Sequence, residues 1–279
     1  MKTLNKEALP YDNVACGSDT DIYSRSSLTA QSYHRRYEYK RHNHLRRLIV
    51  FCMLVGIACA AVYVHNGYLP WQRPSETTPN ELVSLYDRNP EARQFVLNYD
   101  QYHNNPPAIN LSEFAHSQTV PLLMQWDERW GYTSYAGQYF ALSGCGPTCL
   151  SMAYIYLTGD TSMSPLAMGT FATAHGWAVD GMGSAWALIY EGGRELGLSV
   201  TQIPLQEKRV KANLKVNNPI ICIMGPGDFT KTGHFIVLAG LKDDKIIVCD
   251  PNSKERSNKT WTYDELQHQI QNLWVLCKA

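Results

Sequence analysis

The sequence predicts an α+β fold: a helical N-terminal half packed on a C-terminal antiparallel sheet, with one transmembrane helix ahead of it. Three groupings of apolar residues carry that reading. Helical spacing comes first, over 149–157, 164–175 and 185–196, and each stretch stops at a glycine: Gly159, Gly176 and Gly197. Strand-like runs follow, "PIICIMG", "HFIVLAGL" and "KIIVCD", bounded by the turn sequences "KDD" and "DPN". Helices grouped before strands point to α+β rather than to alternating βαβ units. The third grouping lies upstream, where Leu48 to Val64, "LIVFCMLVGIACAAVYV", carries no charge.

That run sits at the short end of the ~17–25 residues a membrane-spanning helix needs. The basic stretch "HRRYEYKRHNHLRR", His34 to Arg47, runs straight into it, and Tyr63, Tyr68 and Trp71 are placed to seat its far end in the interface. A cleaved signal peptide competes, because Ala58-Cys59-Ala60 resembles a small-residue cleavage site. The basic region, however, is preceded by a far longer segment than a signal peptide's n-region. A lipid attached at Cys59 fits poorly with Gly56-Ile57-Ala58, and a buried core helix explains neither the basic flank nor the unbroken apolarity. An uncleaved signal-anchor is the reading preferred. By the positive-inside rule it leaves residues 1–47 in the cytoplasm and sends the rest of the chain out.

The 279 residues and 44% apolar content are ordinary for a chain that buries a real core, and a formal net charge of +0 gives no sign of a nucleic-acid partner. Four segments are expected: a polar, basic cytoplasmic tail over 1–47, the anchor over 48–64, an extracytoplasmic stem over 65–119, and a catalytic domain over 120–279. The stem opens with a Pro-, Thr- and Asn-rich linker to about Asn80. It continues with "NELVSLYDRNPEARQFVLNYDQYH", in which Leu82, Leu85 and Tyr86, then Ala92, Phe95, Val96 and Tyr99, fall at helical spacing. Two short amphipathic helices broken at Asn89-Pro90 follow from this, with Pro90 opening the second. The polar link "NNPPAINLSE" closes the stem. Of the eight cysteines, Cys145, Cys149, Cys222, Cys249 and Cys277 fall outside the tail and span. An odd number leaves at least one thiol free, and no disulfide is expected from contexts typical of buried cysteine.

The stretch "SGCGPTCL" places Cys145 between two glycines, with Pro147 in the first turn of a helix whose face is Leu150, Ala153, Tyr154 and Leu157. At a helix mouth the unpaired N–H groups and the dipole favour a thiolate. Gly144 and Gly146 are expected to clear the approach for a substrate backbone. Cys149, one turn on, is expected to be packing. Among the histidines, His65, His103 and His116 lie in polar linkers, His175 ends a helix, and His268 reads as a surface residue. His234 differs, since it opens an apolar strand at the mouth of the core. If Lys242-Asp243-Asp244 form a three-residue loop, Leu241 pairs with Lys245 and His234 faces Asn252. Asp250 is then its diagonal neighbour, within reach of the ring. A two-residue loop would shift that register. Gln125, in "VPLLMQWDERWG", is an uncharged side-chain donor at the end of an apolar run, where a glutamine is ordinarily a surface residue.

Other motifs carry less. Lys231-Thr232 in "GPGDFTKTGH" lacks the glycine a phosphate loop needs before its lysine, and Cys145 with Cys149 makes a poor metal site. Gly181, Gly183 and Trp186 are candidates to line a cleft, although a tryptophan opening a helix is more often core.

Taken in order, "PLLMQWDERWGY", "LSGCGPTCLSMAYIYLTGD", "MGPGDFTKTGHFIVLAG" and "VCDPNS" resemble the bacterial peptidase C39-like family, a branch of the papain-like cysteine peptidases. The resemblance runs from about Val120 to Ala279, and "NPEARQFVLNY" resembles the preamble of membrane-anchored members. It implies a papain-like fold and an extracellular cysteine peptidase on the cell membrane. Cys145 would be the nucleophile, His234 the general base and acid, Asp250 the residue orienting it, and Gln125 the oxyanion-hole donor. The implied partners are a peptide or protein substrate, cell-wall associated or not, and the lipid bilayer through residues 48–64. The chemistry requires no cofactor. A cell-wall peptide amidase with the same chemistry and a non-catalytic peptide-binding module are the alternatives. Processing of exported leaders, as in transporter-fused relatives, is disfavoured by the expected topology.

Overall fold

The computed structural model describes residues 44–61 and 72–279, and the chain divides into two units, Met1–Pro70 and Trp71–Ala279. In the first unit, helix α1 (His44–Ala61) is long and apolar enough to cross a membrane. Most of the expected basic tail, residues 62–64 of the expected span, and the linker through Trp71 lie outside the described residues. So do Cys16, His65, Tyr63 and Tyr68.

The second unit opens with α2 (Asn80–Arg88) and α3 (Arg93–Leu97), separated by one 3-10 turn at Pro90–Ala92. The break is chemical. Pro90 has no N–H to continue the ladder, and the Asn89 side chain accepts the Glu91 N–H to start the next turn. The apolar faces of both helices are buried. Leu82, Leu85, Phe95 and Val96 share one core with Met124, Trp126, Tyr132 and Ala141. Phe95 stacks on Tyr132 at 4.2 Å, and the Tyr132 hydroxyl donates to the Phe95 carbonyl. Residues 80–97 are therefore packed into the body of the unit.

The central helix α4 (Cys145–Thr158) is buried over most of its length and ends at Gly159, whose φ of 75° closes it in the left-handed conformation. Helix α5 (Pro165–Ala174) packs beside it, capped by the Ser164 side chain on the Ala167 N–H. The expected single helix over 185–196 is instead a π turn at Leu188–Gly192 followed by a short helix at Gly193–Glu195. Gly192 and Gly193 explain the interruption. Their backbones lie so close to Trp177 and Val200 that a Cβ at either position would fall 2.8 Å from them.

Six strands form one antiparallel sheet: β1 (Leu198–Gln202), β2 (Ile220–Met224), β3 (His234–Lys242), β4 (Lys245–Cys249), β5 (Thr260–Trp261) and β6 (Ile270–Lys278), in the order β1-β6-β2-β3-β4-β5. Between β1 and β2 runs α6 (Glu207–Lys215). One sheet face, with Ile221, Ile223, Phe235, Val237 and Trp274, packs on Leu150, Ile155 and Met168. The other, with Ile220, Ile236, Leu238 and Val248, packs on Val210 and Leu214 of α6. Burial of both faces is why these strands read as unbroken apolar runs rather than as alternation.

The β3–β4 hairpin differs from expectation at its tip and agrees at its base. The loop has two residues, not three: Lys242 pairs with Lys245 around Asp243 and Asp244, both at positive φ. Two residues at positive φ give a primed turn that matches the strand twist, and aspartate tolerates that conformation. A bulge at Ala239 then takes up one residue, and Val237 pairs with Cys249. The bulge restores the register the longer loop would have given, so His234 remains diagonal to Asp250.

Candidate active site

Cys145 is the first residue of α4, with Gly144 as its cap. The expectation that Gly144 and Gly146 leave open space for a substrate is corrected by packing. A Cβ on Gly144 would lie 2.3 Å from the Phe140 ring, and one on Gly146 would lie 2.5 Å from the Ser184 hydroxyl. The protein's own side chains fill that space. Both glycines let Phe140 and the 183–184 segment close onto the helix mouth, leaving Cys145 half-buried.

His234 begins β3 and is 7% exposed, and Asp250, just past β4, is wholly buried. The ring's Nε2 lies 2.7 Å from Asp250 Oδ1, which also accepts the Asn252 N–H at 2.8 Å. The second carboxylate oxygen accepts from Arg256 Nε at 2.5 Å. With Nε2 engaged by the carboxylate, Nδ1 is the nitrogen left for the Cys145 thiol, whose ionisation His234 influences. His234, Asp250 and Arg256 thus form one hydrogen-bonded chain, with Cys145 coupled electrostatically to its imidazole end.

Their ionisation follows from that chain. Burial opposes charge on Cys145. The hydrogen bond and charge of His234, with the backbone N–H groups of Phe235 and Gly146, outweigh it and hold the thiol below its ordinary range. Burial also disfavours a charged His234, but the Asp250 carboxylate, joined by Cys145, pushes the ring up to about 10. For Asp250, burial is more than offset by His234 and Arg256, and its pKa is lowered. A buried carboxylate carrying two cationic partners keeps its charge. The arrangement moves both groups toward their charged forms, thiolate and imidazolium. By contrast, burial drives Cys149 well above the usual thiol value, as expected of a packing residue.

Gln125 is 3% exposed and tied to both halves of this arrangement. Its backbone N–H donates to the Pro251 carbonyl at 2.8 Å, beside Asp250. Its side-chain Nε2 donates to the Ala141 carbonyl at 2.7 Å, in the turn just before Cys145. The second Nε2 hydrogen remains available, and among the described residues Oε1 has no hydrogen-bond partner. Nearby, the Tyr135 hydroxyl pairs with Ser184 Oγ at 2.7 Å, and burial, with the Cys145 charge adding to it, raises its pKa to about 12. Gly181 and Gly183 lie in a small hairpin beside α4, pairing 178–179 with 183–184, and Trp186 is 46% exposed while its ring meets Trp274 edge-on.

Two contributors escaped the sequence reading. Arg256 lies six residues beyond Asp250 in α7 (Lys254–Asn258), whose cap is Ser253. Reading Ser253 as a cap would have put Arg256 one turn inside a helix leaving Asp250. Glu91, in the turn before α3, reaches that same cap and bonds the Ser253 hydroxyl at 2.6 Å. No local motif marks a contact between residues so far apart in the chain.

A family model described as Peptidase_C39 like family matches residues 117–278. No curated protein matches the chain. Solved structures similar to it include the following two. One is the peptidase domain of Streptococcus ComA, a bi-functional ABC transporter involved in a quorum-sensing pathway. It is 19% identical with a TM-score of 0.40, over 50% of this chain and 93% of that one. The other is a double glycine motif protease from an AMS/PCAT transporter, in complex with the leader peptide. It is 18% identical with a TM-score of 0.36, over 48% of this chain and 84% of that one.

Proposed function

Because this chain belongs to the peptidase C39-like family, we propose that it is a membrane-anchored cysteine peptidase that hydrolyses peptide bonds on the outer side of the membrane. The observation that carries the reading is the buried His234–Asp250 hydrogen bond coupled to Cys145, with a thiol lowered and an imidazole raised in pKa. That is the preparation a nucleophilic thiolate and its general acid need.

In the proposed reaction the Cys145 sulfur attacks the substrate carbonyl carbon while its proton resides on His234 Nδ1. The negative oxygen that develops is held by the Cys145 backbone N–H, which at the first helical position has no intrahelical acceptor, and by the second Nε2 hydrogen of Gln125. His234 then protonates the leaving amine, the C–N bond breaks, and a thioester remains. A water molecule gives one proton to His234 as its oxygen attacks the thioester, the C–S bond breaks, and the acid leaves with the thiolate and imidazolium restored. Asp250 stays ionised throughout and holds the ring with Nε2 toward itself, and Arg256 holds Asp250.

Helix α1 supports the anchor, and the basic residues Arg46 and Arg47 on its N-terminal side support a cytoplasmic N-terminus. The substrate is then an extracellular or cell-wall-associated peptide. Incubating full-length protein and its Cys145→Ala variant with unfolded protein substrates and with purified peptidoglycan tests this. Cys145-dependent proteolysis is the expected result. Release of muropeptides without proteolysis would replace it with a cell-wall amidase, and no Cys145-dependent product from either would leave a peptide-binding module.

A further inference from the structure

The turn carrying Asp250 is gripped from outside the matched family segment. Glu91 points its carboxylate at the start of α7: Oε1 accepts from the Ser253 hydroxyl at 2.6 Å and the Glu255 N–H at 3.3 Å, and Oε2 accepts from the Lys254 N–H at 2.7 Å. Asn89, two residues earlier, donates from Nδ2 to the Asn252 carbonyl at 3.1 Å and to its side-chain oxygen at 3.2 Å. Glu91 thereby satisfies helix-start donors that would otherwise lack partners, and Asn89 ties down the residue before the cap. In addition, Gln125 N–H holds the Pro251 carbonyl and the Trp126 indole N–H reaches the Asn252 carbonyl at 3.3 Å. Residues 251–255 are thus held from both 89–91 and 125–126. Within α7, Arg256 meets Asp250, and Asp250 meets His234.

We propose that Glu91 is a positioning residue of the active site: by capping α7 it fixes Arg256 against Asp250, and through Asp250 it sets the orientation of His234 toward Cys145. The proposal rests on the cysteine-peptidase reading and gives the segment ahead of the peptidase fold a part in catalysis beyond that of a tether. The side chains around the relay are few. His234 faces Cys145 and Asp250; Asp250 faces His234 and Arg256; Cys149 and Cys249 are buried nearby as neutral thiols, and the Tyr135 phenol, also neutral, feels the Cys145 charge. A slack α7 loosens the Asp250–His234 hydrogen bond, makes the imidazolium less favourable, and so makes the neighbouring thiolate less favourable.

The test is the pH dependence of Cys145 alkylation by iodoacetamide, read by mass spectrometry on the Cys145 peptide of the full-length chain. It requires no knowledge of the substrate. Glu91→Ala is expected to raise the midpoint by about half a unit or more, and to lower peptide-hydrolysis kcat about tenfold with KM little changed. Val96→Ala, which weakens the same helical segment without touching α7, controls for lost stability and is expected to keep the wild-type midpoint. Glu91→Gln keeps one acceptor oxygen and the side chain's packing, and is expected to give a smaller upward shift. An unshifted midpoint in Glu91→Ala, or in Glu91→Gln should the alanine variant not fold, overturns the proposal, as does an equal shift in Val96→Ala. A wild-type Cys145 no more reactive than free cysteine overturns the peptidase reading and this proposal together.

Discussion

Asp250 Oδ1 lies 2.7 Å from His234 Nε2, and the same carboxylate holds Arg256 through its other oxygen. One buried acid therefore orients the ring and is itself oriented. Asp250→Asn keeps the shape and removes the charge that raises His234. The imidazole pKa should fall and kcat should drop about 100-fold, at the low end of what general acid–base catalysis supplies. Steady-state kinetics with imidazole-pH profiles in wild type and variant checks this.

The same pair fixes how stability responds to acid. The folded pKa of Asp250 lies below its ordinary value. Its contribution to stability is therefore present above the unfolded carboxylate value and is lost as pH falls through the folded one. His234 runs the other way: its contribution is complete below the unfolded imidazole value and is lost as pH rises through about 10. Thermal unfolding followed from pH 2 to pH 11 should show both limbs in wild type, a flattened acid limb in Asp250→Asn, and a flattened alkaline limb in His234→Ala.

Gly146 and Ser184 offer a packing test. Gly146→Ala should destabilise the protein by about 1–3 kcal/mol, because the added methyl meets the Ser184 side chain in a closed site. Ser184→Gly removes the obstacle, so the double variant should recover much of the loss. A double-mutant cycle by chemical denaturation reads the coupling, and additive losses would mean the two positions do not compete for the same space.

Gln125→Ala should leave KM nearly unchanged and lower kcat about 10²–10³-fold, the usual cost of one oxyanion donor. Stability should change little. The substitution deletes one hydrogen bond, to the Ala141 carbonyl, but also an Oε1 that is buried without a partner. Measuring kcat, KM and melting temperature on the same preparation separates the two effects.

The anchor is tested by fractionation. Full-length protein should partition with membranes and resist alkaline or high-salt extraction, as an apolar transmembrane helix demands. A chain starting at Gln72 should appear in the soluble fraction. Recovery of the full-length protein by salt alone would argue for a peripheral association instead.

How much of this was legible in the sequence depended on the range of the interaction. Helix stops at Gly159 and Gly197 and the unbroken strand runs are local, and both reappear in the fold. The His234–Asp250 pairing was reached through a hairpin argument whose loop is one residue too long, and the bulge at Ala239 compensates for that residue. Turn chemistry was readable in "KDD", but a bulge inside an apolar strand leaves no mark of its own. The glycines beside Cys145 were visible while their purpose was not, since Phe140 and Ser184 fill the space that a sequence leaves blank. Arg256 and Glu91 escaped for the same reason: their partners are set by tertiary packing. Glu91 meets Ser253 only because the Leu82, Leu85, Phe95 and Val96 face docks against Met124 and Trp126.

The central claim is that Cys145 stands as a thiolate because His234, held by Asp250, stands as an imidazolium. The most direct measurement is the rate of Cys145 alkylation across pH 4 to pH 10 in wild type and in His234→Ala. The account expects fast labelling of wild type well below the ordinary thiol pKa of about 8.5, and a shift of the midpoint to that value or above once the imidazole is gone. Wild-type Cys145 titrating like a free cysteine, or an identical profile in His234→Ala, would contradict it.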